Sequence, residues 1–290
     1  MNNHRCIISG IDLGPDTEKI LAYAAYFASK TESKLKLLYV IDYLLTPPSY
    51  LKAYIEEEKK REESELSRWK TLLAKKGINA ECRIVLGRLH ESFTRVIREI
   101  STSLLVIGYK SHPLRPSSSE RLIKTLKMPM LVVRGKTTEN VRIGSAVIKK
   151  ILCPVDFSDN SIKAVLIAKE YASHFGAILQ LAHIIPSYLI KEKWVIWQRL
   201  GENDRRKFDE TMQSEAESNL SSVCKETGVE RGGEIYHGNP AEIISSIADN
   251  NNYDLVIMGA RGISYLQGIL IGSTTESVLK SSPCPVLVIH

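Results

Sequence analysis

The residue types with the clearest chemistry lie in Gly259-Ala260-Arg261-Gly262 and, after nine intervening residues, in Gly272-Ser273-Thr274-Thr275, between two apolar runs. Glycines at the exit of a buried strand let a ligand approach the backbone closely. A Gly-Ser step opening a helix offers free amides, hydroxyls and the positive end of the helix dipole. Those are the needs of a polyphosphate, so the pattern points to nucleotide binding. Each feature also has a plainer role as a strand-end turn or helix cap. Only their joint spacing favours a ligand.

The elements that position these residues come from a duplication. Ile8-Ser9-Gly10-Ile11-Asp12-Leu13 aligns with Leu152-Cys153-Pro154-Val155-Asp156-Phe157, 144 positions later, and Leu35–Ile41 aligns with Leu179–Ile185 at the same offset. Leu104–Gly108 then matches Leu255–Gly259, and Met128–Val133 matches Cys284–Ile289. Two copies of one domain are expected, 1–137 and 148–290, joined near residues 135 to 147.

Within each copy, short apolar runs alternate with helical periodicity, the signature of buried parallel strands joined by crossover helices. The predicted fold is therefore α/β, with two tandem doubly wound parallel sheets in a Rossmann-like arrangement. In the second copy Ser158 caps a helix with Ile162, Val165, Ala168, Ala172 and Phe175 as its stripe, ending at Gly176. In the first, Pro15 opens the helix and Ile20, Ala24, Phe27 and Ala28 form the stripe. Long helices are expected near 50 to 76, with Leu66, Trp69 and Leu73 inward, and near 204 to 226.

In such a sheet, ligands bind outside the carboxyl ends of the strands. That rule gathers Pro154, Val155 and Asp156, then Ile184, then Gly238-Asn239-Pro240, then Met258, Gly259, Arg261 and Gly262, with the helix starting at Ser273 closing the crevice. Asp156 suits a ribose hydroxyl or an adenine amino group, the backbone around Val155 and Ile184 flanks a base, and Arg261 neutralises phosphate or simply faces solvent. His183, His237 and His290 lack metal-ligand spacing and read as core or strand-end residues. The insert Tyr188–Trp197 holds two of the three tryptophans and reads equally as a lid, a partner surface or local packing.

Pro154-Val155-Asp156-Phe157-Ser158, the G-x2-G-x9-G-[S/T] pattern of Gly259, Gly262, Gly272 and Ser273, and the closing Pro283–Val288 resemble the universal stress protein family, and nearly the whole chain resembles its tandem members. The resemblance implies ATP in the second half, with adenine near Val155 and Ile184, ribose near Asp156 and Gly259, and phosphates on Gly262 and on Gly272 to Thr275. It also implies a fold like that of the adenine nucleotide alpha hydrolases, a divalent ion such as Mg2+ with the triphosphate, and pairing of the last strands of the two domains into an intramolecular pseudo-dimer. A homodimer of such chains is a further possibility.

The first half departs from the pattern. Gly108 and Asp12 remain, together with Ser117, Ser118 and Ser119, but Ser111 and Pro116 stand at the positions of Gly262 and Gly272. Proline has no amide proton for a phosphate, so this half is expected not to hold ATP in the usual way. Gly10-Ile11-Asp12-Leu13-Gly14 also resembles the first phosphate motif of actin and Hsp70-type ATPases, which would need a hairpin next. Pro15-Asp16-Thr17-Glu18 instead opens a helix.

No nucleophile-base pair or water-positioning residue accompanies the phosphate segment, so any ATP hydrolysis is expected to be slow and no catalytic residue is assigned. The expected role is a nucleotide-dependent regulatory component of a stress response, read out by a protein partner that the sequence does not specify. The net charge of +6 is spread among interleaved acids, as in Glu56–Glu63, which argues against a nucleic-acid surface. Five scattered cysteines without a paired motif, and a start lacking a signal-peptide pattern, lead to the expectation of a soluble cytoplasmic protein with no membrane contact.

Overall fold

A computed structural model describes residues 5–42, 52–109, 117–186, 201–262 and 271–290. The chain divides into two compact units, Met1–Val147 and Ile148–His290. The N-terminal unit runs β1 (Cys6–Gly10), α1 (Thr17–Lys30), β2 (Lys34–Ile41), α2 (Lys52–Ala74), β3 (Ala80–Leu86), α3 (Leu89–Ile100), β4 (Thr102–Gly108), α4 (Ser118–Thr125) and β5 (Met130–Val133). Its strands pair in parallel in the order β3-β2-β1-β4-β5.

The C-terminal unit repeats the plan with β6 (Lys150–Pro154), α5 (Asp159–Phe175), β7 (Ile178–Pro186), α6 (Glu202–Thr227), β8 (Gly233–Gly238), α7 (Pro240–Asn250), β9 (Leu255–Gly259), α8 (Ser273–Ser281) and β10 (Val286–Ile289). Here the parallel order is β10-β9-β6-β7-β8. Strands β1, β5, β9 and β10 are buried at every position, as helix-covered parallel strands must be, and this is why they read as unbroken apolar runs.

The duplication extends to individual backbone angles. Left-handed residues recur in matched pairs: Leu13 and Phe157 (φ 54° and 65°), Glu32 and Gly176 (50° and 65°), Ser101 and Asn252 (53° and 51°). A leucine and a phenylalanine tolerate this conformation only when neighbours enforce it. The Asp12 carboxylate accepts from the Gly14 amide at 3.0 Å, and the Asp156 carboxylate accepts from the Ser158 amide at 3.1 Å. Each Asp thus closes a side-chain turn around the strained residue and aims the chain from the first strand into the first helix.

Helix α5 starts at the Ser158 cap, whose hydroxyl accepts from the Ser161 amide, and ends at left-handed Gly176. Its buried stripe includes Val165, Ala168, Ala172 and Phe175, while Ile162 is half-buried. Helix α1 begins at Thr17 behind Asp16, so Pro15 lies in the preceding turn and not at the first helical position; the Gly14 carbonyl accepts from the Thr17 amide there. Leu66 and Leu73 of α2 are buried as expected, but Trp69, on the helix margin, is only half-buried. No hairpin follows Asp12.

The segment expected as a linker packs on the N-terminal unit. It carries a 3-10 turn over Lys136–Thr138, buries Thr138, Ile143 and Ala146, and brings Arg142 within 3.3 Å of Glu18. Among the described residues no helix is long and apolar enough to cross a membrane.

Candidate functional site

In each unit the strand order reverses at its first strand, and the crevice there opens at the carboxyl ends of the strands. In the C-terminal unit it is a cavity of about 540 Å³, within the roughly 300–1,000 Å³ span of small-molecule sites. Pro154, Val155, Asp156, Ile184, Met258, Gly259, Arg261, Gly262, Gly272, Ser273, Thr274 and Thr275 all line it.

The glycines divide into two kinds. A side chain at Gly259 would press on the backbone of Asn160 at 3.0 Å, so packing disfavours anything larger there, while one at Gly262 would displace the Asp156 carboxylate. Among the described residues an added Cβ at Gly272 would meet protein only at ordinary contact distance, 3.6 Å from the Ala260 carbonyl oxygen, and its backbone is unstrained at φ −73°. The fold does not require glycine at 272, yet this residue both lines the cavity and caps α8.

The N-cap of helix α8 is Gly272, and among the described residues no side chain caps this start. Its first amides are therefore available as anion donors, with the dipole behind them. The Thr275 hydroxyl donates to the Gly259 carbonyl at 2.9 Å and is buried, so it ties the helix to β9, while Ser273 and Thr274 carry the more open hydroxyls. The backbone of Val155 is also engaged: its amide donates to the Ala182 carbonyl at 2.8 Å, and its carbonyl accepts from His183 Nδ1 at 2.7 Å.

His183, which the sequence presents as a core or strand-end residue, lines the cavity. Its ring lies 4.4 Å from that of Phe157 at 30°. Burial lowers its pKa below the ordinary histidine value, opposed by the bond to Val155 and the charge of Asp156. With Nδ1 committed as donor to a carbonyl, the neutral ring keeps Nε2 as an acceptor.

Four further lining residues, Met212, Glu215, Ala216 and Asn219, come from α6. Their spacing of three, four and seven residues puts them on one helix face, a signal that was present in the sequence. Helix α7 adds Pro240 at its first turn, behind Asn239, whose side chain accepts from the Ala241 and Glu242 amides.

The chemistry of these residues fits an adenine nucleotide: Val155, Ile184 and Met258 give the cavity apolar lining, and Gly259, Gly262 and Gly272 at the start of α8 give it accessible backbone. Among the described residues no group of three or more His, Cys, Asp or Glu side chains is placed to hold a metal ion. The insert Tyr188–Trp197 lies outside the described residues, as do Ser111 and Pro116.

The matching crevice of the N-terminal unit encloses about 420 Å³ and is lined by Asp12, Asp16, Asp42, Tyr39, Tyr109 and Ser117 to Ser119, among others. Its helix start differs. Ser117 accepts from the Glu120 amide at 3.2 Å while the Glu120 carboxylate accepts from the Ser117 amide at 2.7 Å, a closed capping box.

A sequence model of the universal stress protein family matches the chain twice, at residues 4–134 and 148–290. Two universal stress proteins of Methanocaldococcus jannaschii are similar to it: one is 32% identical over 156 residues, covering 50% of this chain and 96% of the relative, and the other 30% identical over 151 residues, covering 51% and 86%. Among solved structures, a universal stress protein of Archaeoglobus fulgidus aligns with a TM-score of 0.72 and 21% identity over 98% of this chain and 96% of its own, which is a likeness of fold. Single-domain relatives thus match half of this chain at a time. With the family matched in both units over almost their whole length, the chain belongs to the universal stress protein family.

Proposed function

We propose that the C-terminal unit binds ATP and that the protein is a nucleotide-dependent regulatory component of a stress response. The observation that carries this is the start of α8: an uncapped helix whose N-cap, Gly272, is a glycine that protein packing does not require. In this reading adenine lies against Val155, Ile184 and Met258, ribose beside Asp156 and Gly259, and phosphates against Arg261, Gly262 and Gly272 to Thr275, with Mg2+ carried on the phosphates.

The acids of the cavity do not form a hydrolytic pair. Asp156 is already bonded to the Ser158 amide and hydroxyl, at 3.1 and 2.6 Å, so slow turnover fits better than an efficient ATPase. Five free cysteines suit a reducing compartment, in keeping with a cytoplasmic setting. The intramolecular pseudo-dimer, any further homodimer and a protein partner that reads the bound state belong to the same proposal, and size in solution with and without ATP tests the assembly part.

Purified protein, denatured and examined by mass spectrometry, should release an adenine nucleotide, and added ATP should raise its melting temperature. Release of no nucleotide together with a melting temperature indifferent to ATP would overturn the reading.

A further inference from the structure

The two helices that face the nucleotide crevices begin with the same four-residue pattern, Ser117-Ser118-Ser119-Glu120 and Ser273-Thr274-Thr275-Glu276, the sequence of a capping box. Only the first closes. In the N-terminal unit Ser117 is the N-cap, and its amide and the Glu120 amide are both consumed within the box. In the C-terminal unit Gly272 is the N-cap, Ser273 moves into the helix, and Glu276 instead pairs with Lys280 one turn on, at 3.0 Å.

Lysine stands at the matching position of both helices, Lys124 and Lys280, so the lysine does not explain the difference. A residue at the end of the neighbouring strand does. After β4 comes Tyr109, whose hydroxyl donates to the Glu120 carboxylate at 3.0 Å while its ring packs against the Arg134 guanidinium at 5.2 Å. After β9 comes Ala260, which has no hydroxyl to offer Glu276.

We propose that Glu120, drawn over the start of α4 by Tyr109, is the residue that excludes nucleotide from the N-terminal crevice. Its carboxylate takes a helix-end amide that a phosphate would need, cancels the favourable dipole there, and repels a polyphosphate directly. The N-terminal crevice is then a site filled by the chain's own anion. This rests on the reading of the equivalent C-terminal crevice as a nucleotide site.

The test is photolabelling of the full-length protein with 8-azido-ATP, followed by mapping of the labelled peptides. Wild type should carry label in residues 148–290 and none in 1–137. Glu120→Gln keeps the capping geometry, because glutamine serves at this position too, and removes only the charge. It should bring label into 1–137 with apparent affinity stronger by on the order of tenfold. Tyr109→Phe should act in the same direction but less. Absence of label from 1–137 in both Glu120→Gln and Glu120→Ala would overturn the proposal, as would wild type labelling that region as strongly as the variants. Absence of label from 148–290 would instead count against the ATP reading, leaving the effect of Glu120 to be judged from 1–137 alone.

Discussion

In the N-terminal unit, α4 starts behind Ser117 with its first donors satisfied by Glu120. In the C-terminal unit, α8 starts behind Gly272 with no side chain capping it. Among the described residues the two units share their strand order, the Asp-closed turn after the first strand, and left-handed residues at three matched pairs of positions. The comparison teaches that a duplicated fold keeps its scaffold where backbone geometry is over-determined and diverges at helix starts, whose donors can serve either a ligand or the chain itself. The fold tolerates both outcomes because each satisfies the orphan amides.

The largest effect expected from disturbing this contrast is at Gly272. Gly272→Ala adds a methyl that meets described protein atoms no closer than 3.6 Å but would crowd a phosphate held there, so on the proposed reading ATP affinity measured by calorimetry should fall on the order of a hundredfold, with only the modest loss of stability of a poorer helix cap. Proline there would be a less clean test, because the Gly272 amide also donates to the Ala260 carbonyl at 2.8 Å.

The paired aspartates sharpen the contrast. Asparagine retains the oxygen that closes the turn, so Asp156→Asn should weaken ATP by about tenfold while preserving the fold, and Asp12→Asn should leave ATP binding unaltered. Equal losses from the two would break the asymmetry.

The strand-end glycines differ in the same way, in stability. Gly259→Ala pushes a methyl against the Asn160 backbone and should cost about 1–3 kcal/mol in urea denaturation. Gly108→Ala meets only the far end of the Ile20 side chain and should cost less.

The smallest effect is on pH dependence. His183 has a pKa held below its ordinary value by burial, so the unfolded chain takes up a proton before the folded one does. Its contribution is complete above the unfolded pKa of about 6.5 and is lost as pH falls through the folded value. Thermal midpoints at pH 7 and pH 5 should therefore differ less in His183→Phe than in wild type. Tyr39, at the matching N-terminal position, has a pKa raised by burial and does not titrate in that window.

Much of this architecture was legible in the sequence because its causes are local and periodic. The apolar runs of β1, β4, β6 and β9 declare strands buried on both faces, and the repeat of Asp12 at Asp156 marks the turn that both units share. The Ser158 cap and the Gly176 stop were readable for the same reason. What could not be read depends on contacts between distant segments. His183 alternates on β7 like any half-buried strand residue, and only the return of Val155 to within 2.7 Å shows that it faces the crevice. The four lining residues of α6 needed the cavity itself to distinguish their face from the others. Glu120 and Glu276 stand in one and the same motif, and their separation depends on Tyr109 against Ala260, at the end of the preceding strand. Pro15 was misplaced because proline suits the turn before a cap as well as the first helical position.

The central claim, one live nucleotide site in a duplicated scaffold, is tested most directly by native mass spectrometry of the intact chain titrated with ATP. The account predicts one ATP per chain at saturation of the wild type, absent from Gly272→Ala at the same ATP concentration and retained in Asp12→Asn. Two ATP per chain in the wild type, or one that survives Gly272→Ala and disappears in Asp12→Asn, would contradict it.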